Sequence, residues 1–79
     1  MRYNIQQDSK KSAYMQLYEL LRGDIVKGIY HYGKKLPSKR LLAEEAGVSV
    51  ITVEHAYNIL SDEGYIESRQ RSGYFVTYK

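Results

Sequence analysis

Apolar residues recur every three or four positions over residues 13–27, and this spacing predicts an amphipathic helix. The stripe is formed by Tyr14, Leu17, Tyr18, Leu21 and Ile25. Ser12 stands before the stripe, where its hydroxyl can accept a hydrogen bond from an unpaired N–H of the first turn. Gly28 follows the stripe, and glycine is a common residue just past a helix end. The pattern therefore predicts a first helix over residues 13–27.

Two further helical patterns follow with almost no sequence between them. Ser38 is the expected N-cap of a short helix over residues 39–46, and Ser49 is the expected N-cap of a third over residues 50–63. The link between them is only residues 47–49, and it begins with Gly47. A turn of three to four residues that contains glycine is typical of a helix-turn-helix.

After Gly64 the apolar period changes from 3.6 to 2. Residues 65–69 and 74–78 alternate in the manner of half-buried strands and are rich in aromatic and β-branched residues, with a turn between them. Lys35 and Leu36 are expected to add a very short strand. The predicted fold is mainly α with a small β-hairpin: a winged helix-turn-helix in which a three-helix bundle precedes a C-terminal wing over residues 65–78. The whole chain, residues 1–79, is expected to be one domain.

Composition narrows the classes of function. The chain has no cysteine and only two histidines, His31 and His55, far apart in sequence, so neither disulfides nor a metal site is expected. There is no signal-peptide pattern and no apolar run of the roughly 20 residues that span a membrane. We therefore expect a cytoplasmic domain without a membrane partner. No nucleophile motif or phosphate-binding loop is present, so we expect no enzyme activity and no small-molecule ligand or cofactor in this chain.

The charges are distributed more informatively than the net charge of +3 suggests. Four cations and no acid lie in residues 34–40, and Arg69 and Arg71 form a second basic island. Between them, residues 41–68 carry six acids and no lysine or arginine. Two basic islands around an acidic middle suit a polyanionic partner such as nucleic acid.

The order of these elements, together with several short motifs, resembles the N-terminal domain of GntR-family transcription regulators. The motifs are 36–40 (LPSKR), 42–49 (LAEEAGVS), 52–53 (TV), 63–66 (EGYI) and 72–76 (SGYFV). The resemblance covers residues 13–76. It implies sequence-specific binding of a double-stranded DNA operator, with contacts from the start of the second helix, the start of the third helix and the wing tip.

The positions that match these contact regions carry side chains that are small and polar, basic, or suited to contact a DNA groove. They are Ser38, Lys39, Arg40, Ser49, Val50, Ile51, Thr52, His55, Arg69, Arg71, Ser72 and Gly73. Each position suits its task physically. Ser38, Ser49 and Thr52 lie at helix N-termini, where unpaired N–H groups and the helix dipole favour a phosphate. An arginine can bind a phosphate or a guanine edge through two parallel hydrogen bonds, and a glycine allows close approach of the backbone.

Two positions depart from what is common in the family: Val50 stands where arginine is frequent, and Glu54 where a basic residue is frequent. The third helix therefore offers no lysine or arginine, although Val50 and Ile51 suit contact with a thymine methyl group. His55 is either a groove contact or a solvated residue, and Arg69 either contacts DNA or pairs with Glu67 or Asp62. Our hypothesis is that affinity depends on the two basic islands and on phosphate contacts at helix ends.

The region around residues 52–57 and 63–69 is most similar to the MocR-type subgroup. That subgroup implies a C-terminal aminotransferase-like domain with pyridoxal phosphate. We expect such an effector and dimerisation domain to lie outside this chain and the longer protein to form a homodimer. The alternative hypothesis is a winged-helix module that binds proteins without strong DNA affinity, and the third helix without lysine or arginine is its main support.

Overall fold

The computed structural model describes residues 3–79, which form three helices followed by a two-stranded antiparallel hairpin. The elements are α1 (Ala13–Val26), α2 (Lys39–Ala46), α3 (Val50–Asp62), β1 (Ile66–Arg69) and β2 (Gly73–Val76). The predicted helices are confirmed to within one residue, and the strands are shorter than predicted at their outer ends. Across this described range, no helix has both the length and the apolar character needed to cross a membrane.

Each helix begins at a serine, as the sequence predicts. All three N-cap residues, Ser12, Ser38 and Ser49, have extended backbone conformations. The hydroxyl of each accepts a hydrogen bond from the backbone N–H three residues later, at 3.1 to 3.3 Å. Such a bond satisfies one of the N–H groups that the first turn leaves unpaired. These local contacts define where α1, α2 and α3 start, and therefore where the chain turns.

The turn between α2 and α3 depends on Gly47, which takes the left-handed conformation with φ 69°. The N–H of Val48 then reaches back to the carbonyl of Ala43 at 3.0 Å, closing the end of α2. The chain enters α3 only two residues later, so α2 and α3 pack closely against each other. α3 also packs on α1, which places it between the other two helices.

The hairpin pairs Ile66 with Val76 at its base and Arg69 with Gly73 at its tip. Three residues, 70–72, close it, and Arg71 at their centre has a positive φ of 66°. The connector before α2 lies beside β2: Lys35 forms an isolated bridge with Phe75. The short strand expected near Leu36 is therefore present as a single bridge on the free side of the wing.

The core is apolar and is shared by all three helices and the wing. Its most completely buried large side chains are Tyr57, Leu17, Leu21, Leu42, Leu60, Ile66, Val53 and Val76. The stripe predicted on α1 is buried except at Tyr14, which is only half-buried and lies outside the core cluster. Tyr3 joins the core from the N-terminal segment with 6% of its surface exposed, a contact for which the sequence has no periodic signal. Residues 3–79 contain no buried charged side chain.

Candidate nucleic-acid interface

Three segments that are distant in sequence meet on one surface of the domain. The ammonium of Lys39, the first residue of α2, lies 3.0 Å from the carboxylate of Glu54 on α3 and 5.7 Å from the ring centre of Tyr74 on β2. Lys35 lies against the wing, since a Cβ added to Gly73 would be 3.0 Å from its Cε. We call the surface formed by residues 34–40, the exposed side of residues 49–55 and the wing residues 67–75 the basic face.

The start of α3 presents two hydroxyls and two apolar side chains. Ser49 Oγ accepts the N–H of Thr52 at 3.1 Å and lies 2.9 Å from Thr52 Oγ1. The next two side chains are unusually exposed for apolar residues, with Val50 exposed for 44% and Ile51 for 74% of their surfaces. This end of α3 therefore combines a helix N-terminus that can bind a phosphate with methyl groups that can contact a thymine.

The start of α2 contains one paired and one unpaired cation. Lys39 is bound to Glu54, and that hydrogen bond is the main reason that its pKa is raised above the ordinary value. Arg40 is exposed, and the structure gives it no ion-pair partner within residues 3–79. Ser38 caps the helix beside them. Of the two predicted basic contacts here, Arg40 is the one without an ion-pair partner among the described residues.

The wing tip, like the start of α2, contains one cation with an acidic partner and one without. Arg69 Nε donates to Glu67 Oε2 at 2.8 Å, and its guanidinium lies 4.4 Å from the ring centre of Phe75. Of the two acids considered as partners for Arg69, Glu67 is therefore the one it contacts. Arg71 projects from the tip without an ion-pair partner in the described part of the chain, next to Ser72 and close to the partly buried Gly73.

His55 lies on α3, and its side chain packs against a residue of α1. Its ring stacks on Tyr14, with 3.7 Å between ring centres and 13° between planes. This contact explains why Tyr14 leaves the core despite its position in the apolar stripe. One ring face of His55 is covered, and its exposed edge remains able to hydrogen-bond. Because the two residues are 41 positions apart, no local pattern indicates the stack.

The basic face includes residues that the predicted contact set lacks. Lys34 and Lys35 belong to the same basic island as Lys39 and Arg40 and are exposed beside the wing. Their position in this basic island is the sequence signal that could have identified them as part of the site. In the sequence, Glu54 is distinguished only by its departure from the family pattern, and its ion pair with Lys39 follows from how α2 packs against α3.

The sequence matches the family "Bacterial regulatory proteins, gntR family" over residues 13–76. Among curated relatives, the uncharacterised HTH-type transcriptional regulator YdeL of Bacillus subtilis (strain 168) is 49% identical over 65 residues, covering 82% of this chain and 14% of that protein. The probable rhizopine catabolism regulatory protein MocR of Rhizobium meliloti is 42% identical over 72 residues, covering 91% of this chain and 15% of that protein. The chain thus spans about a seventh of the length of these relatives.

Solved structures show the same fold. YtrA from Sulfolobus acidocaldarius, a GntR-family transcription factor, superposes with a TM-score of 0.87 at 41% identity, over 95% of this chain and 79% of that one. The AraR DNA-binding domain in complex with operator ORE1 superposes with a TM-score of 0.87 at 27% identity, over 98% of this chain and 100% of that one. The chain therefore belongs to the gntR family of bacterial regulatory proteins, as a winged helix-turn-helix DNA-binding domain.

Proposed function

We propose that the basic face binds a duplex DNA operator in a sequence-specific way, with α3 in the major groove and the wing along the backbone or the adjacent minor groove. The observation that supports this most directly is the meeting of α2, α3 and the wing through Lys39, Glu54 and Tyr74. Lys35 also bridges Phe75, so the first basic island lies beside the wing that carries the second. The AraR domain, which has the same fold, forms complexes with operator DNA.

Within this proposal, Arg40 and Arg71 are the main phosphate contacts. Both are exposed, and neither has an acidic partner in the part of the chain that the structure describes. Lys34 and Lys35 add to the same field, while Ser38, Ser49, Thr52 and Ser72 offer hydroxyls or helix-end N–H groups. Phosphate contacts position the protein, whereas contacts to base edges from Val50, Ile51 and His55 supply the sequence preference.

The test is selection from a pool of random duplexes by the 79-residue chain at low salt, repeated at two higher salt concentrations. We expect enrichment of one short motif and a steep loss of affinity with salt, because each neutralised phosphate releases counterions. Arg40→Ala and Arg71→Ala should each weaken binding by roughly tenfold, as expected for one charge-assisted contact. Lys27→Ala is the charge-matched control, since Lys27 lies at the other end of α1 from the Tyr14–His55 stack.

The proposal would be contradicted by a wild-type chain that enriches no motif and shows no salt-dependent binding. It would also be contradicted if Arg40→Ala and Arg71→Ala both bound the selected duplex as tightly as Lys27→Ala does. In that case the basic islands would have no part in binding, and the contact set proposed here would be wrong.

For the longer protein in which such a domain occurs, we propose a cytoplasmic regulator that acts as a homodimer on a two-fold operator, because a lone module makes few contacts. We propose that this domain works by binding rather than by catalysis, as its regulator relatives suggest. If the protein is of the MocR type, pyridoxal phosphate belongs to a C-terminal domain and not to residues 1–79. Size measurement of the full-length protein tests the dimer.

A second candidate function is protein docking through the helix-turn-helix. The specific observation in its favour is a set of exposed apolar side chains on α2 and α3: Leu41, Val50 and Ile51, exposed for 48%, 44% and 74%. Ile51→Ser distinguishes the two functions. If the domain binds DNA, this variant should change the preferred base at one position of the selected motif. If it docks on a protein, the variant should abolish salt-insensitive binding to that protein, and the wild type should select no DNA motif.

A further inference from the structure

An acid occupies the exposed side of α3. Glu54 lies one turn after Val50, and its side chain is exposed for 48% of its surface. α3 carries no lysine or arginine, so nothing on the same helix compensates this charge. The compensation comes from Lys39 at the start of α2, whose ammonium is 3.0 Å from the carboxylate and is itself exposed for 31%.

This ion pair lies where a duplex would be bound. Lys39 begins α2, at a position that would otherwise neutralise a backbone phosphate, and it also lies 5.7 Å from the ring centre of Tyr74 on the wing. The Lys39 ammonium cannot fully neutralise both the Glu54 carboxylate and a phosphate. A carboxylate that approaches DNA without a donor is repelled by the phosphates and loses its hydration, which is unfavourable. In the major groove the available base donors are the amino groups of cytosine and adenine, and a carboxylate accepts from the cytosine amine.

We propose that Glu54 is a specificity-determining residue. By pairing with Lys39 it weakens binding to duplexes in general, and it permits tight binding to those duplexes that offer a base amino group to its carboxylate. The inference rests on the proposed function, because it requires the basic face to bind duplex DNA. It gives α3 a means of discrimination that does not need a guanine-reading arginine. It also gives the ion pair a role in choosing between sequences, since unfavourable contacts to wrong partners contribute to specificity as much as favourable ones.

The competing explanation is that the pair simply clamps α2 to α3. An ion pair as exposed as this one stabilises a protein by little, because solvent screens it and two long side chains must be ordered. Replacing Glu54 by glutamine should therefore leave Tm nearly unchanged. A clamp, by contrast, would lower Tm and weaken binding to all duplexes equally.

The experiment compares the wild-type 79-residue chain with Glu54→Gln. The probes are a duplex selected from a random pool by the wild type and a scrambled duplex of the same composition. We expect Glu54→Gln to bind the scrambled duplex roughly 3- to 10-fold more tightly, since it removes one repelled charge and releases Lys39 for a phosphate. The slope of log K against log salt should become steeper by about 0.9, the value for one added phosphate contact. The ratio of affinities for the selected and scrambled duplexes should fall.

Glu19→Gln is the matched control, because Glu19 of α1 forms another exposed ion pair, with Lys11 at 2.7 Å. It changes the net charge identically and should leave the ratio at the wild-type value. In the double variant Lys39→Gln with Glu54→Gln, the steeper salt slope should disappear, since the released ammonium is absent. A new selection with Glu54→Gln should change the preferred base at one position from cytosine towards adenine, whose edge glutamine can bind with two hydrogen bonds.

An unchanged affinity ratio for Glu54→Gln, with the wild type still selecting a motif, would overturn the inference and leave the proposed function standing. A lower Tm with equal loss of binding to both duplexes would identify a clamp and also overturn it. A wild type that selects no motif would remove the proposed function and this inference together.

Discussion

At the scale of single residues, tyrosine hydroxyls join parts of the chain that are distant in sequence. Tyr57 of α3 donates to the carbonyl of Pro37 at 2.7 Å, just before the N-cap of α2. Tyr3 donates to Asp24 of α1 at 2.6 Å, and Tyr18 of α1 donates to Glu63 at the end of α3. In each case a buried ring contributes apolar contact while its hydroxyl satisfies a polar partner near the surface.

Tyr57→Phe tests one of these contacts. The ring remains, but the carbonyl of Pro37 loses its donor in a partly buried place, so the free energy of unfolding should fall by about 1 to 3 kcal/mol. Urea unfolding followed by circular dichroism measures the change. Tyr65→Phe is the control, because Tyr65 is half-buried and its hydroxyl has no hydrogen-bond partner among residues 3–79. Equal stability of the two variants would show that the Tyr57 hydroxyl contributes nothing.

At the scale of elements, the angle between α2 and α3 is determined by the three residues that connect them. Gly47 ends α2 in the left-handed region, and Ser49 begins α3 with a cap on the N–H of Thr52. A turn this short restricts how far α3 can reorient relative to α2. The exposed start of α3 and the start of α2 are therefore held as one unit, and the ion pair between Lys39 and Glu54 follows from that arrangement.

A pair of glycine substitutions tests this dependence on backbone conformation. Gly47→Ala should lower the free energy of unfolding by about 1 to 2 kcal/mol, because a Cβ is disfavoured at φ 69° although no atom obstructs it. Gly23→Ala, inside α1 and equally unobstructed, should instead raise it by about 0.5 to 1 kcal/mol. Thermal unfolding of both variants provides the comparison. A destabilised Gly23→Ala or a neutral Gly47→Ala would contradict this explanation of the turn.

At the scale of the whole molecule, the N-terminal segment and the wing both contribute side chains to one small core. Tyr3 is buried against the helices, and the backbone of Gln6 exchanges two hydrogen bonds with the side chain of Gln16 on α1, at 2.8 and 2.9 Å. Burial also raises the pKa of Tyr3 and of Tyr57 well above the ordinary value near 10. The hydrogen bond to Glu63 is the first cause of a raised pKa at Tyr18.

These raised pKa values predict a loss of stability in alkali. Each phenol stays protonated in the folded chain at a pH where the unfolded chain has released its proton. The stabilisation is complete below pH 10 and is lost as pH rises beyond it, by about 1.4 kcal/mol per pH unit for each tyrosine. Urea unfolding between pH 8 and pH 11 should show this decline in the free energy of unfolding. In Tyr57→Phe the slope of that decline should be smaller by the contribution of one tyrosine. Tyr32→Phe, at a side chain exposed for 56%, should retain the wild-type slope. A flat profile would contradict the assignment.

The local elements were determined by the sequence itself. Apolar spacing, three serine caps and glycines just past the helix ends are signals carried within a few adjacent residues, so the helices and the hairpin were predicted to within one or two residues. Arg40 and Arg71 were predicted as DNA contacts from the family resemblance, and both side chains are exposed in the structure. The DNA contacts themselves stay a prediction from the order of the elements and the motifs that carry the family resemblance.

Which side chains are paired was decided only by the tertiary structure. Lys39 and Arg40 are neighbours of similar charge, yet packing brings Glu54 to one and no acid of the described chain to the other. Tyr14 fits the apolar stripe of α1 as well as Tyr18 does, but α3 presents His55 to it and draws its ring out of the core. Tyr3 has no periodic neighbours and is buried only because α1 and the connector leave a place for it. Such contacts join residues 15 or more positions apart, and they depend on the packing of elements that local sequence does not encode.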